Sequence, residues 1–161
     1  MNDKKYHIPV LILPIISHFG VENNSVIFDG TLGFAGHAEE LLSIAPEATY
    51  IGFDRDEFAI KESMARCGHY KNFKTVYGSF SSMIDYINKH NINVTHILLD
   101  LGVSSYQIDQ SNRGFTFQKD ETLDMRMNPN SGVTAKELLA TYSKEALVQL
   151  FLKEGDISNP S

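Results

Sequence analysis

The chain has 161 residues, 42% hydrophobic and 21% charged, a balance that suits one soluble globular domain able to bury a core without cross-links. Its single cysteine, Cys67, excludes an internal disulfide, and no apolar run approaches the ~20 residues of a membrane span. A net charge of −6 weighs against a dedicated nucleic-acid module, which is usually basic, unless its cationic surface is local.

In chain order, the polar start Met1 to Lys5 is followed by an apolar stretch, Ile8 to Ile16, interrupted by Pro9 and Pro14. It lacks the clean apolar region and small-residue cleavage site of a secretory signal, so the expected location is cytoplasmic. Four short runs read as buried strands: Ser25–Phe28, Thr49–Phe53, Phe73–Tyr77 and His96–Leu99. Each is apolar, rich in β-branched residues, and ends near Asp or Gly. Helical patterns lie between them. Residues 35–45 put Ala38, Leu41, Leu42 and Ala45 on one face. Residues 57–66 carry Phe58, Ala59 and Met64, and residues 80–90 carry Phe80, Met83, Ile84 and Ile87. Strands alternating with helices imply an α/β fold with a parallel sheet. Strand patterning stops after Asp100. Residues 101–133 are polar and loop-like, Thr134 with Glu137 three residues on marks a helix start, and Ser143 marks another. The end, Gly155–Ser161, reads as irregular.

Chemistry concentrates where strands meet helices. Asp29-Gly30-Thr31-Leu32-Gly33-Phe34-Ala35-Gly36-His37 joins the first strand to the first helix. Glycines there let the backbone turn and approach a ligand, and a helix N-terminus attracts an anion such as a pyrophosphate or an amino-acid carboxylate. The plainer reading is a tight turn that needs glycine for sterics alone. The spacing of Gly30, Gly33 and Gly36 is not the G-x-G-x-x-G of dinucleotide sites. Asp54 ends the second strand, where an acid commonly accepts hydrogen bonds from ribose hydroxyls, whereas Asp56 reads as the N-cap of the next helix. Phe80 suits either the face of an adenine or the core of its own helix. Asp100 ends the fourth strand, in the crevice where open α/β sheets bind ligands, and a carboxylate buried there without partners would be costly. Gln107 suits a ligand contact or a loop cap. Arg113 and the Leu123-Asp124-Met125-Arg126-Met127 block suit a polar site or a local ion pair. His37 reads as a satisfied polar residue. The histidines and Cys67 show no metal-ligand spacing.

Taken together, His7-Ile8-Pro9-Val10-Leu11, Asp29-Gly30-Thr31-Leu32-Gly33, Ala35-Gly36-His37, Asp100-Leu101-Gly102-Val103-Ser104-Ser105, Arg113-Gly114-Phe115 and Leu123-Asp124-Met125-Arg126-Met127 resemble the ribosomal RNA small-subunit methyltransferase H (MraW) family. The resemblance implies a Rossmann-like, class I S-adenosylmethionine-dependent methyltransferase fold, incomplete here. Residues 1–104 would be the S-adenosylmethionine-binding part, and residues 105–161 the start of an inserted, mostly helical substrate-recognition domain. It implies S-adenosylmethionine as donor and N4 of a 16S rRNA cytidine near the decoding site of the 30S subunit as acceptor. Carried over residue by residue, the cofactor contacts are Ala35, Gly36, His37, Asp54, Phe80, Asp100 and Gln107, with Asp100 also the candidate for shaping the catalytic region. Ala35 stands where the family usually has glycine. Family members are longer, so this chain is expected to stop inside the insertion and to methylate RNA poorly by itself. The rival readings are a nicotinamide-dependent oxidoreductase, whose glycine fingerprint is missing, and a cofactor-binding fragment without catalysis.

Overall fold

A computed structural model describes residues 9–155 and residue 157. Met1 to Lys5, His7, Ile8 and most of the Asp156–Ser161 end lie outside the described residues. The chain divides into two compact units, Met1–Ser104 and Ser105–Ser161.

The first unit is built on four parallel strands: β1 (Val26–Asp29), β2 (Thr49–Asp54), β3 (Phe73–Tyr77) and β4 (His96–Leu98). Their order is β3-β2-β1-β4, with Phe28 opposite Ile51 on one side and Ile97 on the other. This is the open, doubly wound arrangement of Rossmann-like sheets, and the strands fall on the four expected runs. Helices α1 (Ile12–Phe19), α2 (Gly36–Ile44), α3 (Glu57–Cys67) and α4 (Met83–His90) surround it.

Alternation along the central strands sends neighbours to opposite faces. Ile27 and Tyr50 join Leu32, Ala38, Leu41, Leu42 and Cys67 in one core. Phe28, Ile51 and Phe53 join Met83 in the other, where Tyr86 packs edge-on against Phe28 and Phe53. Ala38, Leu41, Leu42 and Ala45 are all buried, as the helical pattern of residues 35–45 requires.

Three features differ from the pattern reading. Helix α1 forms in the stretch taken as interrupted by prolines. Pro14 is its third residue, where no intrahelical N–H bond is needed, and Gly20 closes it at φ 56°. Phe58 and Met64 are exposed, and α3 faces the sheet with Ala59, Ser63 and Cys67 instead. These small residues, four apart, let the helix lie close to the strands. Ile84 is exposed as well, and the burial of α4 rests on Met83.

The second unit holds α5 (Ser105–Asp109), α6 (Ala135–Thr141) and α7 (Lys144–Glu154), with no strand among its described residues. Thr134 and Glu137 form a reciprocal capping box, and Ser143 caps α7.

Candidate functional site

The carboxyl ends of the strands gather the polar groups. Asp54, at the end of β2, holds the glycine loop. Its Oδ2 accepts the Gly33 N–H at 2.9 Å and its Oδ1 accepts the Asp56 N–H at 2.8 Å. Burial holds its carboxyl above the ordinary aspartate value, against the lowering effect of those two N–H groups. Each oxygen keeps a lone pair, and the residue is only partly buried, so it retains capacity to accept from a ligand hydroxyl. Asp56 accepts from the Phe58 N–H as the N-cap of α3, the role the sequence favoured.

The loop itself is shaped by backbone demands. Gly33 sits at φ 52°, a conformation that disfavours a side chain. Gly30 is needed for space: a Cβ there would clash with the Leu99 side chain and lie 2.6 Å from the Cβ of Phe80 and 3.0 Å from the Met83 sulfur. Gly30 thereby seats Phe80 beside the end of β1, with over a third of that side chain open to solvent. Ala35 takes the left-handed conformation as well, at φ 58°, as the N-cap of α2. It has no side-chain oxygen to bond the first turn, so α2 presents its leading N–H groups uncapped by side chain, the arrangement that receives an anion.

His37 is buried, with Nε2 3.0 Å from the Val10 carbonyl oxygen. A carbonyl only accepts, so Nε2 carries the proton, and the ring ties the segment before α1 to the loop. Pro9 packs against Gly36, where a Cβ would meet its ring at 2.6 Å.

Asp100 departs from the expectation. Its carboxylate is exposed, so the argument from the cost of burial does not apply to it. What is fixed is its backbone: the Asp100 N–H donates to the Thr31 hydroxyl at 2.7 Å. Thr31 in turn donates through its hydroxyl (3.2 Å) and its N–H (2.9 Å) to Asp29 Oδ1, while the Tyr50 hydroxyl donates to Asp29 Oδ2 at 2.7 Å. Asp29 and Tyr50 are fully enclosed. Burial raises the Asp29 carboxyl above its usual range, and burial together with the Asp29 charge pushes the Tyr50 phenol well above its own. This network escaped the sequence reading. Its only trace there is a tyrosine among the apolar residues of β2 and the acid directly before Gly30.

The structure therefore brings Ala35, Gly36, His37, Asp54, Phe80 and Asp100 to one end of the sheet. Gln107 belongs to the second unit, where it is buried in α5. In the same unit Arg113 donates to the Arg126 and Met127 carbonyls, both at 3.0 Å, and Asp124 pairs with Arg126 at 2.7 Å. These are the bonds of the local ion-pair alternative. Cys67 is buried with its thiol pushed up to about 12 by that burial, which leaves it unreactive. Among the described residues no group of three or more His, Cys, Asp or Glu could hold a metal ion, and no helix is long and apolar enough to cross a membrane.

Residues 4–160 match the model of the MraW methylase family. Curated relatives carry the name ribosomal RNA small subunit methyltransferase H. That of Mycoplasma mobile is 39% identical over 98% of this chain and 53% of its own length. That of Spiroplasma kunkelii is 41% identical over 93% and 49%, and that of Acetivibrio thermocellus 41% over 88% and 47%. The chain spans about half the length of the curated relatives it matches.

Proposed function

The chain belongs to the MraW methylase family, and on that premise we propose that its strand-end site binds S-adenosylmethionine for methylation of small-subunit ribosomal RNA. The observation that carries this reading is the glycine loop locked by its Gly33 N–H to Asp54 at the end of the adjacent strand.

The residues suit the parts of that molecule. The uncapped N-terminus of α2 at Ala35, Gly36 and His37 suits the amino-acid carboxylate. Asp54 has lone pairs for ribose hydroxyls. Phe80, partly exposed and seated by Gly30, suits an adenine face. Asp100 completes the proposed contacts of this unit. A nicotinamide dinucleotide is favoured less, since the glycines lack its fingerprint.

When bound, S-adenosylmethionine supplies an electrophilic methyl group. The chain's contribution is then to hold donor and acceptor in line, which is the larger part of such catalysis. The proposed acceptor is N4 of a cytidine near the decoding site of 16S rRNA. The lone pair of that amine is delocalised into the ring, so an acceptor for its N–H protons aids attack. Asp100, exposed and with its backbone pinned, is assigned to holding the cofactor and shaping this region. The base must be unpaired or extruded to reach it. We assign the work to the cytoplasm, where ribosomes are assembled.

Transfer of tritiated methyl groups to 30S subunits lacking the modification tests this reading, comparing this chain with one carrying the full length of its relatives. Label on cytidine N4 with the longer chain and little with this one is expected. Label on another base, or none with either chain, would overturn it.

A further inference from the structure

We propose that Thr31 is the positioning residue for Asp100, setting where that carboxylate stands relative to the glycine loop. The inference rests on the reading that Asp100 contacts bound S-adenosylmethionine.

The sheet ladder between β1 and β4 ends with the Gly30 N–H donating to the Leu98 carbonyl at 2.9 Å. Two residues past the end of β4 the Asp100 side chain stands in solvent. Past that last rung, the bond recorded for the Asp100 amide is the one to Thr31 Oγ1, at 2.7 Å.

That bond has a fixed direction. Thr31 Oγ1 lies 3.2 Å from Asp29 Oδ1, and a carboxylate oxygen can only accept, so the hydroxyl proton points inward. A lone pair is thereby left aimed at the Asp100 N–H. Asp29 is held in turn by the Thr31 N–H and by the Tyr50 hydroxyl on the buried side of β2. The donors run one way, from Asp100 through Thr31 to Asp29, with Tyr50 closing the far end. The exposed acid is thus referred back to a rigid, enclosed group.

A hydroxyl is required at residue 31. Valine has the same shape but leaves the Asp100 N–H facing a methyl group and takes one donor from Asp29. Serine keeps both bonds. Titration calorimetry with S-adenosylmethionine on the 161-residue chain separates the roles, using Thr31→Val, Thr31→Ser, Asp100→Ala and the Val/Ala double variant. Thr31→Val should weaken binding ~10-fold and Thr31→Ser less than ~3-fold, the scale of one hydrogen bond lost or kept. In the Asp100→Ala background, Thr31→Val should add less than ~2-fold, because coupled residues are not additive. An equal loss in both backgrounds would mean that Thr31 only supports the loop, and would overturn the proposal. A silent Thr31→Val beside a weakened Asp100→Ala would overturn it while sparing the Asp100 reading. A silent Asp100→Ala would remove both. If Thr31→Val does not fold, amide exchange in the unaltered chain decides: the Asp100 N–H should be protected although its side chain is exposed, and exchange at the free-chain rate would sink the proposal.

Discussion

Replacing Tyr50 with phenylalanine isolates the buried end of the network beneath the site. The ring stays, and only a hydroxyl that donates to Asp29 Oδ2 at 2.7 Å is lost. Neither residue is reached by solvent, so water cannot replace the bond. A buried hydrogen bond to a charged group contributes about 1.5–3 kcal/mol. For a unit of about 100 residues, at ~4–5 °C per kcal/mol, the melting temperature should fall by about 6–15 °C. The loss should depend on pH. Tyr50 stabilises the charged form of Asp29, whose folded-state titration lies above its unfolded value because of burial. Below the unfolded value Asp29 is neutral in both states, and the hydroxyl matters least. As pH rises through the folded value the charge appears and the bond counts fully. Thermal melts of both proteins at pH 5 and pH 8 should therefore diverge more at pH 8. A fall of less than ~2 °C at pH 8 would refute the assignment of a buried, hydroxyl-dependent carboxylate.

Three further outcomes follow from the same geometry. Asp29→Asn should flatten the pH dependence of stability: a folded-state value above the unfolded one means stability is full at low pH and is lost as pH rises, so the variant should gain on the parent in melts from pH 4 to 7, and a parallel profile would contradict this. Gly33→Ala should cost about 1–2 kcal/mol from its φ of 52° alone, since its Cβ position meets only ordinary van der Waals contact, whereas Gly30→Ala must displace Leu99 and Phe80 and should melt lower still; the reverse order would be wrong for this loop. Ala35→Gly relieves a left-handed alanine but removes a buried methyl and frees the unfolded chain, so melts should detect a change within about 1 kcal/mol, and a loss above about 2 kcal/mol would show that the methyl, not the conformation, dominates.

Much of the sheet was legible because its central strands, β1 and β2, are buried on both faces and so read as unbroken apolar runs. The residues at their ends were legible too: Asp54 and Gly33 are polar or flexible at positions where only a turn or a ligand explains them. What was lost follows from features that leave no periodic trace. Helix α1 was hidden by Pro14, whose cost vanishes in a first turn. The sheet-facing side of α3 is written in Ala59, Ser63 and Cys67, too small to stand out beside the exposed Phe58 and Met64. Asp100 was read as a carboxylate in the crevice at the strand ends, costly to bury without partners, yet it lies beyond the last rung of the ladder and is exposed. Tyr50 meets Asp29 only through the pairing of β1 with β2, and Asp100 meets Thr31 only through that of β1 with β4, which no local pattern encodes.

The central claim, that the strand ends form an S-adenosylmethionine site organised by Asp54, is tested most directly by calorimetric titration of the chain with S-adenosylmethionine and with NAD, repeated on Asp54→Ala. The account predicts saturable binding of S-adenosylmethionine, none of NAD, and a loss of about 1–3 kcal/mol in the variant. Unchanged affinity in Asp54→Ala, or NAD binding more tightly than S-adenosylmethionine, would contradict it.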